Sequence, residues 1–209
     1  MKTDYSRRIH FVKKTTTLQQ KEVLVLLTNQ WADWEAAYAI ANIQPIKEYV
    51  VKTIAVDHES KTSLGGLRTE IDYTLEEYCD LDALALLILP GGLGWEKEPT
   101  DEIAAFVKKV IDSKIPVAAI CGATLFLGRY GFLNQVKHTG DELELFQKEP
   151  HYQGEAFYEA SQIVMDQNII TANETAAVEF ADAIFRVLNM YTDEQIDGWY
   201  RYFKQGMVQ

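Results

Sequence analysis

The chain has 209 residues, of which 47% are hydrophobic and 24% are charged, and its net charge at pH 7 is -11. This size and composition are typical of a globular protein with a full hydrophobic core, and an acidic surface repels phosphates, so we expect no nucleic-acid partner. No apolar run approaches the roughly 20 residues of a membrane-spanning helix, so we expect no membrane partner.

Positive charge is concentrated at the start of the chain. Residues 1–21 contain six Lys or Arg residues and a single Asp, and we interpret them as a basic N-terminal arm ahead of a folded domain at 22–209. The arm lacks the apolar segment of about 7–15 residues that a signal peptide contains. Because the chain also has only two cysteines, Cys79 and Cys121, we expect reduced thiols and a cytoplasmic location.

Short apolar segments predict strands that are buried on both faces, as in a parallel sheet covered by helices. They lie at 22–28, 83–89 and 114–120. Further strands are predicted at 49–56, 155–165 and 169–172, with a glycine-containing hairpin at 61–73.

Helical periodicity alternates with these strands. The predicted helices cover 31–44, 101–112, 139–148 and 175–190, with others starting after Cys121 and after Thr192; Thr100 is a candidate N-cap, and Thr139 and Thr192 begin capping boxes. The alternation predicts one doubly wound α/β domain, with a mostly parallel sheet and helices on both faces.

Cys121 follows the third apolar strand and precedes Gly122 and a helical pattern. A sharp turn from strand to helix exposes one side chain and directs backbone N–H groups and the helix dipole at it. A cysteine in this place is predicted to favour its thiolate. The alternative, of about equal weight from this stretch alone, is a buried apolar cysteine that ends a core strand.

Two more features lie at predicted strand ends, where doubly wound sheets bind ligands. The Pro90-Gly91-Gly92 turn lets backbone N–H groups approach a ligand, as an oxyanion hole requires, although an ordinary β–α turn has the same composition. Glu35 follows the first strand, and a solvated carboxylate at a helix start is its ordinary alternative. Trp95 is a candidate for a pocket wall.

The order of these motifs resembles the ThiJ/PfpI intracellular protease family. The chain has a Glu after the first strand, then Leu-Pro-Gly-Gly, then Ala-Ile-Cys-Gly, then a Gly-Phe-Leu segment that leads to a His-Thr pair. This family includes the Parkinsonism-associated deglycase and belongs to the class I glutamine amidotransferase-like superfamily, which implies a flavodoxin-like fold. The resemblance covers roughly residues 22–188.

The resemblance implies a role for each of these residues. Cys121 would be a nucleophile on a strained turn, with Glu35 as a protonated carboxyl group hydrogen-bonded to the thiolate. The N–H groups of Gly92 and Gly122 would form the oxyanion hole. His138 resembles the histidine of the deglycase branch and is a candidate base, with a surface loop histidine as an equal alternative. Protease members have a His where this chain has Gly122, which makes efficient proteolysis less expected.

The resemblance therefore implies a cysteine-dependent hydrolase in stress protection, of the peptidase, amidase or glyoxal/deglycase type. Its substrate would be a small carbonyl, amide or peptide. The alternative is a non-catalytic, redox-responsive stress protein or holdase that reports oxidation of Cys121. We expect no cofactor and find no spacing that closes a zinc site. A homodimer stays open, and Cys79, which has no positive neighbour, is interpreted as structural.

Overall fold

The structure is a computed structural model that describes residues 20–206. The predicted basic arm therefore lies outside the described residues, apart from its last two. Within them the strands are β1 Lys21–Leu26, β2 Tyr49–Ala55, β3 Lys61–Thr62, β4 Arg68–Thr69, β5 Tyr73–Thr74, β6 Leu84–Leu89, β7 Val117–Ile120, β8 Ile163–Asp166 and β9 Ile169–Ala172.

Seven of these strands form one sheet in the order β5-β2-β1-β6-β7-β9-β8. All neighbours in the sheet run parallel except β8 and β9, so the predicted mostly parallel sheet is confirmed. Strands β3 and β4 form a separate antiparallel pair, which accounts for most of the predicted hairpin. The strand order reverses beside β1, because the chain passes from β1 to β2 on one side and later to β6 on the other.

Helices cover both faces of the sheet, as the alternating pattern predicted. They are α1 Ala37–Ile43, α2 Gly94–Lys97, α3 Asp101–Asp112, α4 Gly122–Arg129, α5 Leu143–Phe146, α6 Ala177–Val187 and α7 Asp193–Gln205. None of the helices within 20–206 is both long and apolar enough to cross a lipid bilayer.

The two core layers follow from the period of two along a strand. In β1, Val23 and Val25 pack on the face covered by α1 and α6, whereas Leu24 and Leu26 pack on the face covered by α3 and α4. Because both faces are buried, the strand has no polar side and appears in the sequence as a continuous apolar run.

The first helix is shorter than the predicted 31–44. Trp31 forms an isolated bridge and residues 33–36 form turns, and Trp34 is 50% exposed. The Ala32 N–H donates to the carbonyl of Gly91 at 3.0 Å, and the Trp31 carbonyl accepts from Leu64 N–H at 2.9 Å. These bonds to other loops take the place of helical ones, so the helix begins only at Ala37.

The prediction of one strand over 155–165 is wrong at its start. Residues 155–157 form a 3-10 turn, and only 163–166 pair in the sheet. The capping box at Thr139 is also wrong, because its hydroxyl donates to the Ser161 carbonyl at 2.6 Å and α5 begins later, at Leu143. The capping box at Thr192 is confirmed: its side chain accepts from the Gln195 N–H, and the Gln195 side chain accepts from the Thr192 N–H.

Candidate active site

Cys121 lies between the end of β7 and the start of α4, with φ 55° and ψ -130°. Residues other than glycine rarely adopt this conformation, which costs on the order of 1–3 kcal/mol. Hydrogen bonds fix the backbone on both sides. The Cys121 N–H donates to the Ala172 carbonyl at 2.9 Å, and the Cys121 carbonyl accepts from the Thr124 N–H at 2.8 Å and hydroxyl at 2.7 Å. The turn is therefore both strained and tightly held.

Glu35 lies against this cysteine and is only 1% exposed. Its Oε2 accepts a hydrogen bond from the Gly91 N–H at 2.6 Å. Its Oε1 is fully buried without a hydrogen bond of regular geometry among the described residues, although the Cys121 thiol is close enough to interact with the carboxyl group. Burial raises the pKa of Glu35 to about 7, against the opposing effect of the Gly91 N–H. The carboxyl group therefore holds its proton to a much higher pH than a solvated glutamate does.

Gly91 lies between these two side chains. A Cβ atom at this position would lie 2.7 Å from the Cys121 Cβ and 2.8 Å from Glu35 Oε2. Both distances are shorter than any normal contact, so only glycine allows the β6 turn, the carboxyl group and the cysteine to come together.

Gly92 presents an N–H group without a protein acceptor. It forms an antiparallel bridge with Trp31, but the bridging hydrogen bonds belong to the flanking residues Ala32 and Leu93. Among residues 20–206 the Gly92 N–H itself has no acceptor. Its φ of 121° and a Cβ position 2.2 Å from the Gln30 carbonyl oxygen also require glycine.

Gly122, the first residue of α4, lies beside Gly92. A Cβ on Gly122 would lie 3.8 Å from the Gly92 nitrogen and 3.0 Å from its carbonyl oxygen. The Gly122 N–H hydrogen-bonds toward the Cys121 sulfur and lowers the pKa of the thiol. The Gly92 nitrogen therefore lies near Gly122, whose own N–H is directed at the Cys121 sulfur.

The expectation that this cysteine favours its thiolate is not met. Burial raises the pKa of Cys121 well above its usual range, and the carboxylates of Glu35 and Asp141 raise it further. The Gly122 N–H opposes these effects without overcoming them. The resting sulfur is a protonated thiol beside a carboxyl group that titrates near neutral pH.

Sequence analysis missed two carboxylates at the thiol, Asp141 and Glu174. One oxygen of each and the Cys121 sulfur all lie within 4.8 Å of one another, and Asp141 Oδ1 accepts the Glu174 N–H at 2.8 Å. Glu174 follows β9, which pairs with β7. The rule that ligands bind at strand carboxyl ends would therefore have found Glu174, whereas Asp141 lies in a loop that no strand pattern marks.

His138 is fully buried, so the surface-loop alternative is wrong. Its Nδ1 is 2.7 Å from the Val136 carbonyl, and its Nε2 is 2.8 Å from the Tyr152 hydroxyl. Burial lowers the pKa of this imidazole, and the hydrogen bonds fix a neutral ring that donates from Nδ1 and accepts at Nε2. Neither nitrogen is directed at Cys121, so the arrangement gives no support to the expected role as base.

Trp95 and Cys79 also differ from their predicted surroundings. Trp95 is only 1% exposed, so it does not form the wall of an open pocket. Its Nε1 donates to the Pro90 carbonyl at 2.7 Å and stabilises the glycine turn. Cys79 is exposed, and its thiol donates to the Glu76 carbonyl at 3.8 Å.

The residues of the site follow four neighbouring strands: Glu35 follows β1, Gly91 and Gly92 follow β6, Cys121 follows β7 and Glu174 follows β9.

The profile of the DJ-1/PfpI family matches residues 21–187. The chain is 35% identical over 192 residues to the "uncharacterized protease YoaZ" of Bacillus subtilis strain 168, covering 88% of this chain and 91% of that protein.

A second Bacillus subtilis protein, the "uncharacterized protease YdeA", is 33% identical over 177 residues, with 85% of this chain and 88% of that protein covered. The crystal structure of a thiJ/pfpI family protein from Bacillus anthracis superposes with a TM-score of 0.84 at 34% identity, covering 92% of this chain and 94% of that one. The fold and the strand-end cysteine define a flavodoxin-like protein of the DJ-1 type. The chain belongs to the DJ-1/PfpI family.

Proposed function

We propose that this protein is a cysteine hydrolase that cleaves peptide or amide bonds with Cys121 as its nucleophile. The observation that carries the proposal is an unpaired Gly92 N–H near Gly122, whose own N–H is directed at a cysteine on a strained turn. Backbone donors held in place before the reaction stabilise charge that develops on a carbonyl oxygen. The relatives named as uncharacterized proteases support hydrolysis as the reaction class.

Glu35 is the base in this proposal. Because the thiol is protonated at rest, the attack needs a group that removes its proton. The Glu35 carboxyl group interacts with the thiol, and its pKa of about 7 lies near neutral pH, where a general base works best. Both ring nitrogens of His138 are engaged elsewhere.

The reaction begins when the Cys121 sulfur forms a bond to the substrate carbonyl carbon while its proton passes to the Glu35 carboxylate. The carbonyl π electrons move to the oxygen, and the N–H groups of Gly92 and Gly122 stabilise that oxyanion. The oxyanion then collapses, the C–N bond breaks, and Glu35 returns the proton to the leaving amine. Water then attacks the resulting thioester and gives a proton to Glu35. The carbon–sulfur bond breaks, and Glu35 passes the proton to the Cys121 sulfur, which restores the thiol.

Substrates are expected to be neutral or cationic near the bond that breaks. Asp141 and Glu174 place carboxylates beside the sulfur, and like charges repel an anionic substrate. A small aldehyde fits the same geometry, because attack on it also produces an oxyanion between the two N–H groups.

Turnover of a panel of chromogenic amides, short fluorogenic peptides and methylglyoxal tests the proposal. The Cys121→Ser variant is expected to lose activity, whereas Cys79→Ser keeps it, since Cys79 is exposed and away from the site. Equal activity in wild type and Cys121→Ser contradicts the proposal. Absence of turnover, combined with selective oxidation of Cys121 to sulfinic acid by mild peroxide, favours the redox-responsive alternative.

A further inference from the structure

Cys121, Asp141 and Glu174 bring one sulfur and two carboxylate oxygens within 4.8 Å of one another. Around a tetrahedral zinc ion, with metal–sulfur and metal–oxygen bonds of about 2.3 Å and 2.1 Å, such atoms are about 3.6 Å apart. The three donors therefore need to close by about 1 Å at most. Glu174 is exposed, so rotation of its side chain supplies part of that movement.

The charges around these donors are unbalanced. Among the described residues, no Lys, Arg or His forms an ion pair with Asp141, Glu174 or Glu35. The start of α4 supplies only about half a positive charge. Several negative groups thus face one another in a partly buried site without a countercharge, an arrangement that a bound cation stabilises.

Glu35 provides a second, independent observation. Its Oε1 is a buried acceptor without a regular hydrogen bond in a side chain that is 1% exposed, and its carboxyl group interacts with the thiol. Buried polar atoms in folded proteins normally have partners, and an atom that lacks one often faces an ion or water. The Glu35 carboxyl group contacts the thiol and is therefore a candidate acceptor for a hydrogen bond from a water molecule on a bound ion.

We propose that Cys121, Asp141 and Glu174 form a binding site for a thiophilic divalent cation of the zinc class. A thiolate with two carboxylates suits Zn²⁺, Co²⁺ or Cd²⁺, whereas Mg²⁺ and Ca²⁺ prefer oxygen ligands throughout. On binding, the metal–sulfur bond forms and the thiol proton passes to water. Water supplies the remaining coordination position.

The site goes beyond the proposed hydrolase and does not depend on it, because binding requires only the three donors. If Cys121 is also the nucleophile, a bound cation occupies the sulfur lone pair that would attack the substrate. The metal would then hold the enzyme inactive until it is removed.

Titration of the apoprotein with Co²⁺ at pH 7.5 tests the site without reference to activity. A sulfur-to-cobalt charge-transfer band in the near ultraviolet is expected in wild type and in Cys79→Ser, and its loss is expected in Cys121→Ser. Changing a residue that only supports a metal ligand weakens binding by about 10–100-fold, so Asp141→Asn and Glu174→Gln are expected to weaken Co²⁺ binding at least tenfold. Asn keeps an oxygen that can accept the Glu174 N–H.

The matched control is Glu142→Gln. It removes the same charge one residue from Asp141, from an exposed side chain that is not among the three donors, and is expected to change the Co²⁺ affinity less than twofold. Absence of the band in wild type overturns the proposal. So does a band that persists at full affinity in both carboxylate variants, and so does equal weakening by Glu142→Gln, which would show a general effect of charge. Competition by Cd²⁺, but not by Mg²⁺, is the expected selectivity.

Discussion

Glu35 combines a stability cost with a chemical use. A carboxylate buried beside a thiol and two other acids is unfavourable when charged, and its pKa is therefore raised from 4.5 to about 7. The same displacement brings the group into the range where it can accept a proton at neutral pH. One residue thus explains why the site is expected to be active and why it destabilises the fold.

The raised pKa of Glu35 determines how the stability of the protein changes with pH. Between about pH 4.5 and 7 the folded protein keeps a proton on Glu35 that the unfolded chain has released. The folded state binds more protons in this window, so the Glu35 contribution to stability is fully present below pH 4.5 and is lost as the pH rises through 7. A displacement of this size corresponds to about 3 kcal/mol.

Glu35→Gln tests both properties. Gln keeps an oxygen for the Gly91 N–H but cannot ionise. In wild type, the Glu35 titration is expected to lower the free energy of unfolding by about 2–3 kcal/mol from pH 5 to pH 8. The variant is expected to lack this decrease. Its turnover is expected to fall by about 10²–10⁴-fold, the usual effect of removing a general base. Urea denaturation at the two pH values and initial rates provide the measurements.

Parallel pH dependence of stability in wild type and Glu35→Gln would contradict the buried-carboxyl explanation. Unchanged turnover in the variant would leave that explanation intact and remove Glu35 as the base.

Residue positions were more predictable than residue environments. The strand-end rule identified Cys121, Glu35 and the glycine turn, because parallel strands deliver their carboxyl ends to one edge. The protonation of the thiol was not predictable, since it depends on burial and on Asp141. The burial of His138 against Tyr152 was not predictable either. The thiol protonation and the histidine burial both depend on how distant loops fold together.

At the scale of elements, local signals succeeded where they act within one segment. The Thr192 capping box depends on residues three apart, and α7 begins where that spacing indicates. Thr139 has the same spacing with Glu142, but tertiary hydrogen bonds to Ser161 and Thr171 occupy its polar groups. A local motif therefore determines a helix start only when no other segment competes for the same atoms.

Replacing Thr192 with Ala is expected to lower the free energy of unfolding by about 1 kcal/mol, because the Gln195 N–H loses its side-chain acceptor. Thr192→Ser keeps the hydroxyl and is expected to remain within about 0.5 kcal/mol of wild type. Thermal and urea denaturation of the two variants measure the difference. Equal destabilisation by Ala and Ser would show that the cap contributes nothing beyond the methyl group.

At the scale of the whole molecule, negative charge is in excess both over the full chain and around Cys121. The net charge is -11, and the carboxylates of Asp141 and Glu174 lie near the Cys121 sulfur. Fields of this kind slow the approach of anions and are screened as the Debye length falls from about 30 Å at 0.01 M salt to about 3 Å at 1 M. We therefore expect the molecule as a whole to disfavour negatively charged reactants.

Alkylation of Cys121 measures this selection. Anionic iodoacetate is expected to react at least about threefold more slowly, relative to neutral iodoacetamide, than it does with a free thiol in solution. The deficit is expected to shrink as salt is raised. Mass spectrometry of the peptide that contains Cys121 gives both rates. A deficit that does not respond to salt would point to steric exclusion and not to charge.

The β3–β4 hairpin has a consequence for the site although none of its residues forms part of it. The Gln30 N–H donates to the Thr62 carbonyl at 2.7 Å, and the Gln30 carbonyl accepts the Leu93 N–H at 3.1 Å. Two main-chain hydrogen bonds through Gln30 thus link the β3–β4 hairpin to Leu93, the residue that follows Gly92. Shortening or exchanging that hairpin is therefore expected to shift the Gly92 turn, so sequence changes far from Cys121 would alter the surroundings of its sulfur without replacing it.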